Sequence, residues 1–193
     1  ATTRVLLPTT HEVVERSLDQ VSVGDAVESF DAQSGERVFS EVFLVQHADS
    51  SRMVPMLDIA FQSLSGTSTG NLHVTQNHYL IDEGGKMLKA GELRRGSRLR
   101  IYPNGASRYG VAEVTDVQST FNSVRNVHTM NDHIIVDGVV ASCYAELRLG
   151  PLNLGRLPNI LFPFKVLHRL GLSPLAHRID STLHQLYVSA HTK

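Results

Sequence analysis

The sequence predicts an all-β fold with a pseudo-two-fold internal repeat, followed by a short C-terminal α-helical region. Three observations carry this expectation. First, β-rich runs recur roughly every ten residues up to Glu146: TRVLL, DAVESFD, SEVFLVQ, HYLID, RLRIY, AEVTDVQ, HIIVD and VVASCYA. Turn signals QSGE, EGGK, PNGA and VDGV stand between several of them. Second, the apolar positions in these runs alternate or cluster and never take the spacing of a helical face. Third, segments return in the same order. An offset of 55 lays His73, His78 and Asp82 on His128, His133 and Asp137. An offset of 72 lays Gly24, Val27 and Phe30 on Gly96, Leu99 and Tyr102. Without a gap, the same offset lays Glu41, Val42 and Gln46 on Glu113, Val114 and Gln118. Two copies of so long a unit do not make a solenoid; they predict one compact β domain with two related halves.

The chain changes character after Glu146. Residues 147–193 are Leu-rich, punctuated by Pro and Gly, and carry Asp180 as their one acid. Leu161, Phe164, Leu167 and Leu170 form a short helical stripe that ends near Gly171 and Pro174. Ile179, Leu183, Leu186, Tyr187 and Ala190 form a longer one. Two readings stay open for this part: amphipathic helices packed on the β domain, or an apolar groove and membrane-surface element backed by Arg148, Arg156, Lys165, Arg169, Arg178 and Lys193. The expected division is therefore 1–146 and 147–193.

Bulk properties remove several classes. With 193 residues the chain is long enough for a real core. The formal net charge is −1, which leaves no footprint for nucleic acid. Cys143 is the single cysteine, so no internal disulfide framework forms. No apolar run is long enough to span a bilayer.

The two copies of the His-bearing segment differ in one chemical respect. HVTQNHYLID keeps Thr75 three residues before His78, whereas VHTMNDHIIVD has Met130 at that place. A hydroxyl and an imidazole across a turn suit hydrogen bonding and proton transfer near neutral pH. The plainer reading is a polar pair satisfying backbone groups at a strand end. His73 and His128 suggest metal ligands, but the odd spacing of His73 from His78 puts them on opposite faces of an extended strand unless the chain bends. No ligand pair of tight spacing stands nearby, and no metal or cofactor is expected.

SLDQVSVGDAVESFD, FSEVFLVQH, LHVTQNHYL and GVVASCYAEL resemble, in order and spacing, the autoprocessing domain of hedgehog proteins, which has the Hint (hedgehog–intein) fold. The resemblance covers nearly all of residues 1–146, and NILFPFKVLHRLGL with STLHQLYVSA is more loosely similar to the sterol-recognition region that follows in that family. It implies a horseshoe-like β domain of two halves. It also implies a reaction: a cysteine at the first position attacks the carbonyl of the preceding glycine, forms a thioester, and a sterol hydroxyl then releases the upstream domain as an ester. The place of that cysteine is held by Ala1, whose methyl group is no nucleophile, so the chain as it stands does not take the first step.

The resemblance assigns the remaining roles. His78 protonates the departing amine and Thr75 holds the peptide. His47 occupies the place where hedgehog proteins carry the aspartate that activates the sterol, with Asp49 two residues on as a second candidate base. Cys143 stands on a late strand that the family brings beside the first residue, where it pairs with the nucleophile in an oxidising compartment, accepts the acyl group by exchange, or is a plain buried thiol. Leu161, Phe162, Phe164, Leu167, Leu183, Leu186 and Tyr187 would present cholesterol or a related sterol. Partners implied are the upstream domain in cis, the sterol as second substrate, and an anionic membrane surface, for a monomer in the secretory pathway or outside the cell. Protein splicing is not expected, because Ala141 and Ser142 stand where inteins need His and Asn. A Hint domain resolved by water, and a degenerate scaffold that binds a lipid or partner, are the alternatives.

Overall fold

The computed structural model describes residues 4–8, 13–46, 53–66, 68–103, 106, 108–146, 148–149, 152–153 and 160–191. Strands follow as β1 (Arg4–Pro8), β2 (Val13–Ser17), β3 (Ala26–Phe30), β4 (Arg37–Gln46), β5 (Met53–Ser63), β6 (Thr69–Val74), β7 (His78–Ile81), β8 (Met87–Lys89), β9 (Arg98–Ile101), β10 (Gly110–Ser123), β11 (Asn126–Thr129), β12 (His133–Val136) and β13 (Val139–Ala145). Two helices close the described chain, α1 (Phe162–Arg169) and α2 (Ser173–His191). The fold is thus mostly β with two C-terminal helices, as the sequence predicts.

The offset of 72 reappears bond by bond. Gly24 N donates to Val42 O at 2.9 Å, and Gly96 N donates to Val114 O at 2.9 Å. Val42 N returns to Asp25 O and Val114 N to Ser97 O, both at 2.8 Å. Each unit is entered by a 3-10 turn, Leu18–Gln20 in one and Ala90–Glu92 in the other. Gly24 (φ 94°) and Gly96 (φ 86°) occupy the left-handed region at matching points, where a β-carbon would be strained. The hairpins share one register, Ala26 opposite Glu41 and Arg98 opposite Glu113. Val27, Val42, Leu99 and Val114 are wholly buried, so both halves feed one core. Burial of each contributes about 1.5–3 kcal/mol.

The halves interlock by exchanging strands. β11, from the second half, lies on β4 of the first, and β10 of the second pairs with β5 of the first along nearly its full length. The larger sheet runs β6-β5-β10-β9-β13-β7-β8 with β12 beside β13, and a smaller one runs β11-β4-β3. β13 pairs with both His-headed strands, placing Ala145 opposite His78 and Ser142 opposite His133. The turn into β13 is Asp137 (φ 49°) and Gly138 (φ 80°), the two positive φ angles of a type I′ hairpin that VDGV predicts.

β5 is where the sequence reading falls short, since its run holds Pro55. In the fold Pro55 lies past the end of β6, where β5 has a neighbour on one side alone, so no second ladder is broken there.

Both helices pack on β4. α1 ends through Leu170 and Gly171 (φ 74°), a left-handed stop. Pro174 sits in the opening turn of α2, so it starts the second helix as well as following the first. One expectation is corrected here. Lys165, counted above among the basic residues behind a membrane surface, is buried: its Nζ meets Asp132 Oδ1 at 2.6 Å and Met130 O at 3.0 Å. His168 bridges Glu41 at 2.9 Å and Ser173 at 2.8 Å, and Gln46 donates to Asp180 at 2.5 Å. An ammonium spent on the β domain is not free for lipid headgroups. Phe162, Leu170 and Leu183 remain more than half exposed, and Phe164 and Leu167 are half-buried. Among the described residues no helix is long and apolar enough to cross a membrane.

Candidate active site

The segment from Thr75 to His78 leaves β6, turns, and enters β7, and the carbonyls of Thr75, Gln76 and Asn77 are each taken by a backbone N–H. His78 N bonds Thr75 O at 3.0 Å, Gly91 N bonds Gln76 O at 2.8 Å, and Glu146 N bonds Asn77 O at 2.7 Å. Gly91 suits this approach, because a β-carbon there would stand 3.0 Å from the Gln76 carbonyl and crowd it. The turn's own bond and two distant parts of the chain, at Gly91 and Glu146, therefore fix the turn that carries the Thr and the His.

Thr75 and His78 both line a cavity of about 250 Å³. Its walls come from the first 3-10 turn (Leu18, Asp19), from β6 and β7 (His73, Leu80), and from the β10–β11 connection and the start of β11 (Arg125, Asn126). His73 shares this cavity with His78 because the turn at residues 75–77 supplies the bend that a straight strand lacks; its ring faces Asp58 at 3.7 Å. A larger cavity of about 390 Å³ lies elsewhere, against Val5, Glu28, Tyr102 and Asp137, and is lined by none of the residues to which the sequence reading gives a catalytic or sterol-binding role. The smaller one is therefore the candidate site.

The His78 ring has a defined state. Its Nε2 stands 2.7 Å from the Ser142 carbonyl, which only accepts, so Nε2 carries the hydrogen. Burial lowers the His78 pKa from its ordinary value, with the Ser142 bond opposing. The resting ring is then neutral, and Nδ1 holds the free lone pair. His133, in the corresponding place of the second half, is also lowered by burial and points its Nδ1 to Asn131 O at 3.0 Å.

These two shifts make a stability prediction. A histidine whose folded pKa lies below its unfolded value of about 6.5 binds fewer protons folded than unfolded in the interval between them. Stability should therefore fall as pH drops below 6.5, and level off below the folded values. Urea midpoints between pH 7.5 and 5 should show the fall, and His78→Gln or His133→Gln should each reduce its slope. An unchanged slope in both variants would contradict the assignment.

Cys143 is 1% exposed and directs its sulfur to Thr129, with Oγ1 at 3.4 Å. Burial raises its pKa to about 11, which keeps it a thiol near neutral pH, and it is not among the residues lining the cavity. His128, which the offset of 55 lays on His73, bonds Gln46 Oε1 at 2.8 Å and Asn126 at 3.0 Å, linking the cavity wall to the end of β4. Ala1, His47 and Asp49 lie outside the described residues. So do the side chains of Leu186 and Tyr187. Among the described residues no group of three His, Cys, Asp or Glu is placed to hold a metal ion. Sequence reading missed Arg125 and Asn126, which carry no motif; only the packing of the β10–β11 connection onto the 3-10 turn brings them to the site.

A family description of the Hint module matches residues 6–175, most of the chain. The chain belongs to the Hint family. The Hint fold is shared with solved structures of low sequence identity. An intein from a hyperthermophile has a TM-score of 0.54 at 18% identity, over 73% of this chain and 96% of that one. The bacterial intein-like domain from Clostridium thermocellum has a TM-score of 0.54 at 16% identity, with the same coverage. The DnaX mini intein from Spirulina platensis has a TM-score of 0.54 at 14% identity, over 73% and 97%. A search of curated proteins finds no match. Hint modules process themselves by intein-like autocatalytic cleavage, and that is the family-level activity here. The structural neighbours named are inteins, so they support the module that inteins and hedgehog proteins share, and not the hedgehog branch in particular. The Hint match also runs beyond Glu146, through α1 and into α2.

Proposed function

We propose that this chain is the autoprocessing part of a hedgehog-like precursor, which cleaves the peptide bond ahead of position 1 through a thioester and passes the upstream domain to a sterol. The observation that carries this reading is the convergence of Thr75 and His78 in one cavity of a Hint fold. The start of the chain runs toward it: Arg4 pairs with Ser17, and Ser17 lines the cavity. Three residues span up to about 10 Å, which bounds how far position 1 stands from Arg4.

The His78 tautomer gives an order of events for a chain with cysteine at position 1. Nδ1 takes the thiol proton as sulfur bonds to the carbonyl carbon of the preceding residue. Thr75 holds the peptide oxygen or nitrogen in place. As the carbon–nitrogen bond breaks, the same Nδ1 returns the proton to the departing amine. In the second step the sterol oxygen bonds to that carbon, the carbon–sulfur bond breaks, and the thiol is restored. A base in the His47 loop, His47 or Asp49, would take the sterol proton. Cys143 would support the site from its place on β13. The exposed apolar residues of α1 and α2 would meet the sterol, and processing would take place in the secretory pathway.

His47 in place of the usual aspartate favours a second reading, in which water or another small nucleophile resolves the thioester. One experiment separates them. In the full chain with Ala1→Cys, preceded by a reporter protein ending in glycine, cholesterol should speed release and add one sterol to the mass of the reporter. Release that ignores cholesterol and yields the free carboxylate would sink sterol transfer and leave cleavage standing.

A further inference from the structure

The step just described gathers negative charge on the carbonyl oxygen, and neither the Nδ1 proton shuttle nor the Thr75 hydroxyl supplies a fixed positive charge to meet it. Among the described residues that line the cavity, Arg125 is the one Lys or Arg. It sits in the two-residue connection between β10 and β11, across from the turn that carries Thr75 and His78. Its Nη2 donates to Val21 O at 2.7 Å, which ties the connection to the 3-10 turn that forms another wall. Its Nε is buried and has no hydrogen-bond partner among the described residues. Asp19, the carboxylate in the same wall, accepts from Ser17 and is exposed.

A guanidinium held by one hydrogen bond, with a second nitrogen buried and unsatisfied, is costly unless another group completes it. A neutral structural tie to a carbonyl does not need a permanent charge; asparagine or serine would serve. Fixed donors aimed at developing charge in a water-poor site are the kind of group that lowers the barrier of acyl transfer.

We propose that Arg125 is a catalytic residue of this site, its guanidinium holding the scissile carbonyl oxygen while that oxygen carries negative charge. As the carbon–sulfur bond forms, the carbonyl π electrons move to oxygen opposite Arg125. They return when the carbon–nitrogen bond breaks and the amine takes its proton from His78. The same contact serves the second step, whose tetrahedral oxygen occupies the same place. This rests on the thioester reading above.

The test uses the full chain with Ala1→Cys behind the glycine-ended reporter, and follows dithiothreitol-induced release in single turnover. Arg125→Ala should lower the rate by about 10²–10³-fold. Millimolar guanidinium chloride, far below denaturing concentration, should restore about tenfold or more of that loss. A role confined to bracing Val21 would not respond to the free cation. Arg125→Ala cleaving at the parental rate, or slowing without rescue, would overturn the proposal. Should Arg125→Ala fail to fold, Arg125→Lys and Arg125→Gln decide, since both can donate to Val21 O and only Lys keeps the charge. Lys faster than Gln by about tenfold or more supports the proposal; equal rates refute it. A parent that does not cleave at all would instead remove the thioester reading, a result distinct from either.

Discussion

His78→Ala, in the chain with Ala1→Cys, is expected to slow thiol-induced release of the upstream protein by about 10²–10⁴-fold, the usual worth of a positioned acid–base group. The size follows from how little else in the cavity can move a proton. Thr75 is not a base near neutral pH, and Cys143, raised to about 11 by burial, stays protonated and outside the lining. His73 lines the cavity beside Asp58, but the pinned turn holds His78, and not His73, against the Ser142 carbonyl. That bond selects the tautomer, and Nδ1 is left free for both proton transfers. His78→Gln can keep a donor to Ser142 O and has no titrating nitrogen, so it should be as slow as the alanine variant while melting nearer the parent. Release within about tenfold of the parent in both variants would remove His78 from the reaction.

Asp132→Asn is expected to cost about 2–4 kcal/mol of stability, read from urea denaturation, and to loosen α1. Asp132 accepts two donors at one oxygen, Lys165 Nζ at 2.6 Å and the Tyr144 hydroxyl at 2.7 Å. Lys165 is 9% exposed, and its remaining neighbours are the Met130 carbonyl and the face of Phe43 at 5.7 Å. Neutralising the carboxylate leaves a buried ammonium without its counter-charge, which in a fully buried pair costs about 3–5 kcal/mol. The Asp132 side chain is 28% exposed, so water recovers part of the loss and the lower range applies. Asparagine tolerates the left-handed backbone of this position (φ 69°), which separates the charge effect from strain. The pair Asp132→Asn with Lys165→Met should recover much of the loss, since no unpaired charge then remains buried. Additive losses in the double variant would show that the ion pair is not what docks α1.

Much of the fold is legible because the repeat imposes the same local rules twice. Gly24 and Gly96 need the same left-handed turn, and Val42 and Val114 fill the same core position, so comparing the copies reveals constraints that one copy hides. β5 escapes that comparison. Its counterpart is β11, which pairs with β4 as β5 pairs with β10 (Asn126 opposite Gln46, Asp58 opposite Gln118), but those two strands stand at an offset of 68, which neither of the two offsets seen in the sequence (72 and 55) reveals. Tertiary placement also decides what periodicity cannot. Lys165 reads as a solvated basic residue until Asp132, 33 positions earlier, is folded against it. His73 and His78 read as opposite faces until a three-residue turn brings them to one cavity. Arg125 stands in SVRNVH, a stretch indistinguishable from a surface connection, and becomes part of the site only through the exchange of strands between halves. Thr75 and His78 were readable because a hydroxyl and an imidazole three apart survive in one copy alone.

In the proposed reaction the Thr75–His78 cavity turns the peptide bond ahead of position 1 into a thioester. Mass spectrometry of the reporter released from the Ala1→Cys chain by dithiothreitol tests it most directly. The expected fragment ends at the glycine and carries one dithiothreitol adduct, lost on hydroxylamine treatment. A folded chain that stays intact under those conditions, or releases a fragment cut anywhere else, would contradict it.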